Sequence, residues 1–196
     1  MPMRVILASA SPRRAELLRA AGIPFDVSPV EVDERFHVGE KPEQAVARVA
    51  ELKALAAAAR HPDCLVLGAD TTVVIGGEAL GKPLNSADAV RMLGLLSGQT
   101  HTVLTGVCVC AQGRCRVHVE STEVRMAALS EAEIAWYVAT GEALDKAGAY
   151  AVQGLASRFI SGIHGSYSNV VGLPVAAVYQ LLRALGCDTL DLGKGP

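Results

Sequence analysis

The sequence predicts an α/β fold built on a mixed β-sheet. Three observations lead there. Apolar stretches of strand length alternate with helix-like stretches through the first hundred residues, the order that builds parallel sheet. Hydrophobic residues make up 51% of the chain and aromatic ones only 4%, so the core must be aliphatic, as in sheets covered on both faces. Two long strand-like segments, 101–112 and 115–126, meet at Gln112-Gly113, a hairpin signal that adds antiparallel pairing.

The elements follow in order. A short buried strand at 4–8 ends in small hydroxyl residues, and Pro12 opens a helix over 12–21. Proline suits a first helical position because its missing N–H would be unsatisfied there anyway; Ser11 is a natural N-cap and Gly22 a stop signal. A short strand near 25–28 leads into a polar loop through Asp33 and Glu34, then a long alanine-rich helix from Pro42 to about Arg60. Cys64–Gly68 reads as a buried strand that Thr72–Ile75 continues toward a Gly76-Gly77 turn. Ser86–Leu96 reads as a helix stopping at Gly98, and Ser130-Glu131-Ala132-Glu133 is a capping box opening a helix that ends at Gly141. An irregular glycine-rich region precedes a last helix from Pro174 to Gly186.

Composition excludes several classes of function. The 196 residues suit a single domain, and a formal net charge of −2 argues against general nucleic-acid binding, which wants a basic surface. No apolar run is long enough for a membrane span, and the N-terminus enters a strand rather than a signal peptide, so a cytoplasmic location is expected. The five cysteines show no C-x-x-C spacing, so neither a zinc site nor a disulfide framework is implied. Cys108 and Cys110 share a strand face and read as apolar packing. Cys110 would lie across the hairpin from Cys115, but a disulfide is not expected in a reducing compartment. The five histidines show no ligand-like or triad-like grouping and read as surface or satisfied core residues.

Chemistry gathers at strand ends. A strand, a tight small-residue turn and a helix N-terminus form an anion site, with free N–H groups and the positive end of the helix dipole. Arg13 and Arg14 sit in that first turn, where the dipole disfavours cations, so they are expected either to face a bound anion or to be solvated arginines of an amphipathic helix. Asp70 follows an apolar strand, where ligands of open α/β sheets bind, and Gly68 and Ala69 should leave its surroundings open. Asp33 and Glu34 are hard oxygen donors that suit Mg²⁺ as readily as a solvated loop. Lys82 sits in a rigid Gly-Lys-Pro turn, and Lys53 is a cation in an apolar helix, which calls for a partner or for snorkelling. The segment 145–154 is rich in small residues around Gln153, whose amide can read a base edge, and 165–169 is a second polar loop.

Together these segments resemble the Maf family of nucleoside triphosphate pyrophosphatases, also described as septum-formation inhibitors. The matching motifs run from Leu7-Ala8-Ser9-Ala10-Ser11-Pro12-Arg13-Arg14 through Gly68-Ala69-Asp70-Thr71 and Gly81-Lys82-Pro83. They continue through Asp145-Lys146-Ala147-Gly148-Ala149-Tyr150 and Gln153-Gly154 to the stretch ending at Pro174. The resemblance implies an elongated mixed β-sheet flanked by helices, two lobes with a central cleft, a fold akin to inosine triphosphate pyrophosphatases, and a homodimer. It also implies Mg²⁺- or Mn²⁺-dependent cleavage of a nucleoside triphosphate to the monophosphate and pyrophosphate. On that resemblance Asp70 is catalytic; Glu34 and Asp70 hold the metal; and Ser9, Ser11, Arg13, Arg14, Lys53 and Lys82 meet the phosphates. Arg13, Thr71 and Gln153 stand where the family's 7-methyl-GTP branch has Trp, Gln and Glu, which places the chain with the dTTP/UTP branch. The rival expectations are a nucleotide-binding regulator of cell division with little turnover and a general phosphate-ester hydrolase.

Overall fold

The computed structural model of the chain describes residues 4–187. Its strands are β1 (Val5–Leu7), β2 (Phe25–Val27), β3 (Leu65–Ile75), β4 (Glu78–Leu80), β5 (Thr100–Ala111), β6 (Arg114–Met126) and β7 (Ile160–His164). They form one seven-stranded sheet in the order β2-β1-β3-β5-β6-β7, with β4 paired to β3. The helices are α1 (Pro12–Ala20), α2 (Pro42–Ala58), α3 (Ser86–Leu96), α4 (Glu131–Ala139), α5 (Tyr167–Val171) and α6 (Val175–Ala184). β1 pairs in parallel with both β2 and β3, whereas β4 on β3 and β7 on β6 are antiparallel, so the sheet is mixed as expected.

Two expectations need correction. Asp70 does not follow the end of a strand: β3 runs unbroken from Leu65 to Ile75 and Asp70 lies within it. The β-branched Thr71-Thr72-Val73-Val74-Ile75 stretch carries the strand on past the acid. The glycine-rich region after Gly141 is also less irregular than expected. It holds β7, which pairs with β6 in a register broken at Arg125/Met126, and the short α5.

The described residues divide into two compact units, 4–70 with Thr105–Glu120 and 172–187, and Thr71–Leu104 with Ser121–Val171. In the first unit, Val5, Leu7, Leu65 and Leu67 of the parallel strands pack with Leu18, Val178 and Leu182 of α1 and α6. The alternate residues Ile6 and Val66 pack with Ala57 of α2. This alternation is the period-two pattern of a sheet buried on both faces. In the second unit, Leu93 and Leu96 of α3, Tyr137 of α4, Val103, Val124, Met126 and Phe159 form a separate core.

α2 lies hard against the sheet because two strand residues facing it have no side chain. A Cβ on Gly68 would sit 2.2 Å from the Ala50 carbonyl oxygen, and one on Gly106 equally close to that of Val46. Gly68 therefore does not keep space open around Asp70, as its smallness had implied; the space is filled by helix backbone.

Candidate active site

The turn after β1 is held from several sides. The Ala8 N–H donates to the Leu67 carbonyl at 2.8 Å, and the Ser11 N–H donates to the Ser9 hydroxyl at 3.2 Å. Ser11 takes the extended cap conformation before Pro12, yet its hydroxyl makes no cap bond, so it leaves the first N–H groups of α1 uncapped by its side chain. Arg14 points inward. Its guanidinium is buried and donates to the Ser9 hydroxyl (3.0 Å), the Ala69 carbonyl (2.9 Å) and the Gly172 carbonyl (2.9 Å). Burial pushes its pKa down, and Asp70 and Glu34 oppose that shift. Arg14 thus ties β1, β3 and the start of the segment leading to α6 together, while Arg13 is half-buried on the same turn.

Lys53 finds the partners its apolar helix called for. From α2 it places Nζ 2.7 Å from Glu34 Oε1 and 2.9 Å from Asp70 Oδ1. The lysine side chain is 9% exposed, Asp70 17% and Glu34 57%, so the cluster opens toward solvent on the Glu34 side. Two carboxylates converging on one point repel, and a desolvated ammonium between them offsets that repulsion.

The structure also separates the adjacent acids Asp33 and Glu34. Asp33 turns to Arg35, accepting from its backbone N–H (3.1 Å), Nε (2.9 Å) and Nη2 (2.7 Å), which holds its carboxyl well below the usual carboxylate range. Glu34 alone reaches Lys53 and Asp70's partner set. The loop that carries it is pinned to α2 by Arg48, which pairs with Glu40 at 2.7 Å and donates to the Arg35 carbonyl at 2.9 Å. The sequence carried no signal for Arg48: it lies five residues from Lys53 on α2, off the face that Lys53 occupies.

The remaining predicted residues belong to the second unit. Thr71 is half-buried and next to Asp70 along β3, Lys82 is exposed in the turn after β4, and Gln153 is exposed in the segment before Leu155. His101 is a core residue: it is buried, its Nε2 lies 2.8 Å from the Tyr150 hydroxyl, and its Nδ1 has no partner among the described residues. Burial pushes its pKa down to about 4. Cys108 is a buried packing residue as expected, and Cys110 is buried beside it. The pair Cys110–Cys115, however, is a disulfide, with Cα atoms 4.1 Å apart. The two-residue turn at Gln112-Gly113 sets the two residues directly opposite one another, and that geometry overrode the expectation drawn from compartment.

These motifs and this fold can be set beside known proteins. A sequence model of the family described as Maf-like protein matches residues 4–185. The chain belongs to the Maf family. Its Maf relatives include a dTTP/UTP pyrophosphatase of Koribacter versatilis (strain Ellin345), 52% identical over 94% of this chain and 95% of that one. Another, from Symbiobacterium thermophilum, is 50% identical over 98% and 99% of the two chains, and a third, from Anaeromyxobacter dehalogenans (strain 2CP-C), 54% identical over 95% and 96%. Both carry the same name, dTTP/UTP pyrophosphatase. Among solved structures, the Staphylococcus aureus Ham1 protein aligns with 80% of this chain and 79% of its own at 14% identity and a TM-score of 0.46. No helix among the described residues is long and apolar enough to cross a membrane.

Proposed function

We propose that this Maf protein is a nucleoside triphosphate pyrophosphatase that hydrolyses dTTP and UTP to the monophosphate and pyrophosphate. The observation that carries the reading is the convergence of Glu34 and Asp70 on Lys53 beside the Ser9–Ser11 turn, in a chain about half identical to full-length relatives of that name. The reading includes a cytoplasmic location and a homodimer, the latter testable by sedimentation of the purified chain.

Glu34 and Asp70 also fit a divalent cation such as Mg²⁺ or Mn²⁺. Both are hard oxygen donors, and they already close around a positive charge, the Lys53 ammonium. When bound, such an ion neutralises phosphate charge and supports an in-line displacement. The chain's own residues account for the rest. Hydrolysis breaks the bond between the α-phosphorus and the oxygen bridging to the β-phosphorus. Asp70 orients the attacking water and takes its proton, while Ser9, Ser11, Arg13, Arg14, Lys53 and Lys82 offset the charge of the triphosphate. This is catalysis by positioning and electrostatics. Arg14 acts from within the turn, whose backbone N–H groups it holds in place.

Base choice falls to Gln153 and Thr71. Uracil and thymine present a carbonyl–imide–carbonyl edge, which needs both a donor and an acceptor; a Gln amide supplies both and a Thr hydroxyl either. A panel of nucleoside triphosphates with Mg²⁺, scored for pyrophosphate against inorganic phosphate, tests the whole reading. Pyrophosphate release fastest from UTP and dTTP is expected. Release of inorganic phosphate would point to a general phosphohydrolase, and tight nucleotide binding without turnover to a nucleotide-sensing regulator.

A further inference from the structure

The segment carrying Gln153 is irregular, yet it is tied down on both sides by one pair of side chains. The Tyr137 hydroxyl, on the buried face of α4, accepts from the Ala151 N–H at 3.3 Å and donates to Glu142 Oε1 at 3.0 Å. Glu142 in turn accepts from the Leu155 N–H (3.1 Å, Oε2) and the Ala156 N–H (3.4 Å, Oε1). Gln153 lies midway between these anchors with its side chain exposed. Gly154 completes the strap: its φ of +100° is a glycine conformation, and a Cβ there would sit 2.7 Å from Glu142 Oε2. Burial pushes the Tyr137 phenol's pKa up, which keeps it a donor, and its ring is itself held edge-on by Phe159 with centroids 6.2 Å apart.

We infer that Glu142, held by Tyr137, is a positioning residue for base selection: it fixes the 151–156 strap so that the Gln153 amide meets the base edge in one orientation. A carboxylate accepting two backbone N–H groups makes charge-assisted bonds stronger than neutral ones, and here it caps the 3₁₀ turn Leu155–Phe159 and so fixes the end of the irregular stretch before it. A side chain that must read a planar edge loses selectivity when its backbone wanders. The inference rests on the proposed base-reading role of Gln153.

The test compares kcat and KM for UTP, dTTP and GTP, with inhibition by inorganic triphosphate as a base-free probe. Gln153→Ala is expected to lower the UTP-to-GTP ratio of kcat/KM by ~10-fold. Glu142→Ala should lower it by ~5–10-fold, chiefly through a higher KM for pyrimidine nucleotides, with inorganic triphosphate inhibition unchanged. Glu142→Gln, which keeps one acceptor oxygen, should fall between. With Gln153→Ala already in place, Glu142→Ala should change the ratio by less than ~2-fold, since the two act through one contact. Tyr137→Phe removes only the hydroxyl and should lower the ratio by ~3-fold, so the inference stays testable if Glu142→Ala does not fold. An unchanged ratio in Glu142→Ala or Tyr137→Phe overturns it, as does an equal loss with every nucleotide and with inorganic triphosphate. So does a Glu142→Ala effect that persists at full size in the Gln153→Ala background. An unchanged ratio in Gln153→Ala itself removes the base-reading role and this inference with it, a result distinct from the others.

Discussion

The two units hold their candidate functional groups by different means. In the first, Lys53, Glu34 and Asp70 are charged groups set on a helix, a pinned loop and a parallel-sheet strand, and they order one another by charge. In the second, Gln153 is a neutral amide on an irregular strap, ordered by hydrogen bonds from backbone N–H groups to Glu142 and Tyr137. A group that must carry or neutralise charge during turnover benefits from a rigid, oppositely charged setting. A group that must only discriminate between bases needs orientation and no charge of its own. The difference teaches that turnover and specificity should be separable by mutation.

The largest effect is expected at Asp70. Asp70→Asn should cut turnover by at least ~10²-fold with an unchanged circular dichroism spectrum and an unchanged UTP-to-GTP ratio. A folded Asn variant with near-normal turnover removes Asp70 from the chemistry and breaks the comparison at its stronger end.

Lys82→Ala comes next and asks whether a charge in the second unit behaves like those in the first. Loss of a charge-assisted phosphate contact, ~1.5–3 kcal/mol, should lower kcat/KM for every nucleotide alike. A loss confined to one base would assign Lys82 to base selection instead.

Gln153→Glu should lower UTP and dTTP activity by ~10-fold, because an acceptor-only group then faces substrate carbonyls. Gln153 is exposed in the structure, so the penalty is carried by the bound base and not by burial of the new carboxylate. Replacing Arg13, Thr71 and Gln153 together by Trp, Gln and Glu should shift preference toward 7-methyl-GTP, read from initial rates. An unchanged UTP-to-GTP ratio in Gln153→Glu would show that this side chain does not read the base.

The smallest effect is one of stability. His101 in the second unit has its pKa pushed down to about 4 by burial, below the ordinary value of 6.5. On acidification the unfolded chain therefore takes up a proton that the folded chain refuses, and stability falls progressively from about pH 6.5 toward pH 4. Between pH 7 and 5.5 the native protein should lose about 1 kcal/mol more than His101→Gln, measured by urea denaturation at each pH. Parallel pH profiles for the two proteins would mean that His101 does not stay neutral in the core.

Local signals made most of the fold legible. Proline at the start of α1 and α2, the capping box of α4, the hairpin turn between β5 and β6 and the glycine stops after α3 and α6 all appear where the sequence places them. Each is decided by backbone sterics or by a hydrogen bond within a few residues, so no distant partner is needed. Motif order likewise points to the family without coordinates. What the sequence alone could not decide depends on partners far along the chain. That β3 runs through Asp70 follows from its pairing with β4 beyond the acid. That Gly68 serves the approach of α2, that Arg14 turns inward, and that Glu34 and not Asp33 meets Lys53 were settled only by which groups the sheet and α2 bring together. Glu142 carried no sequence signal at all, because its function is to accept from backbone N–H groups, which every residue but proline possesses. Local chemistry is written in residue type and spacing; the pairing of one desolvated charge with another is decided only when packing removes the water between them.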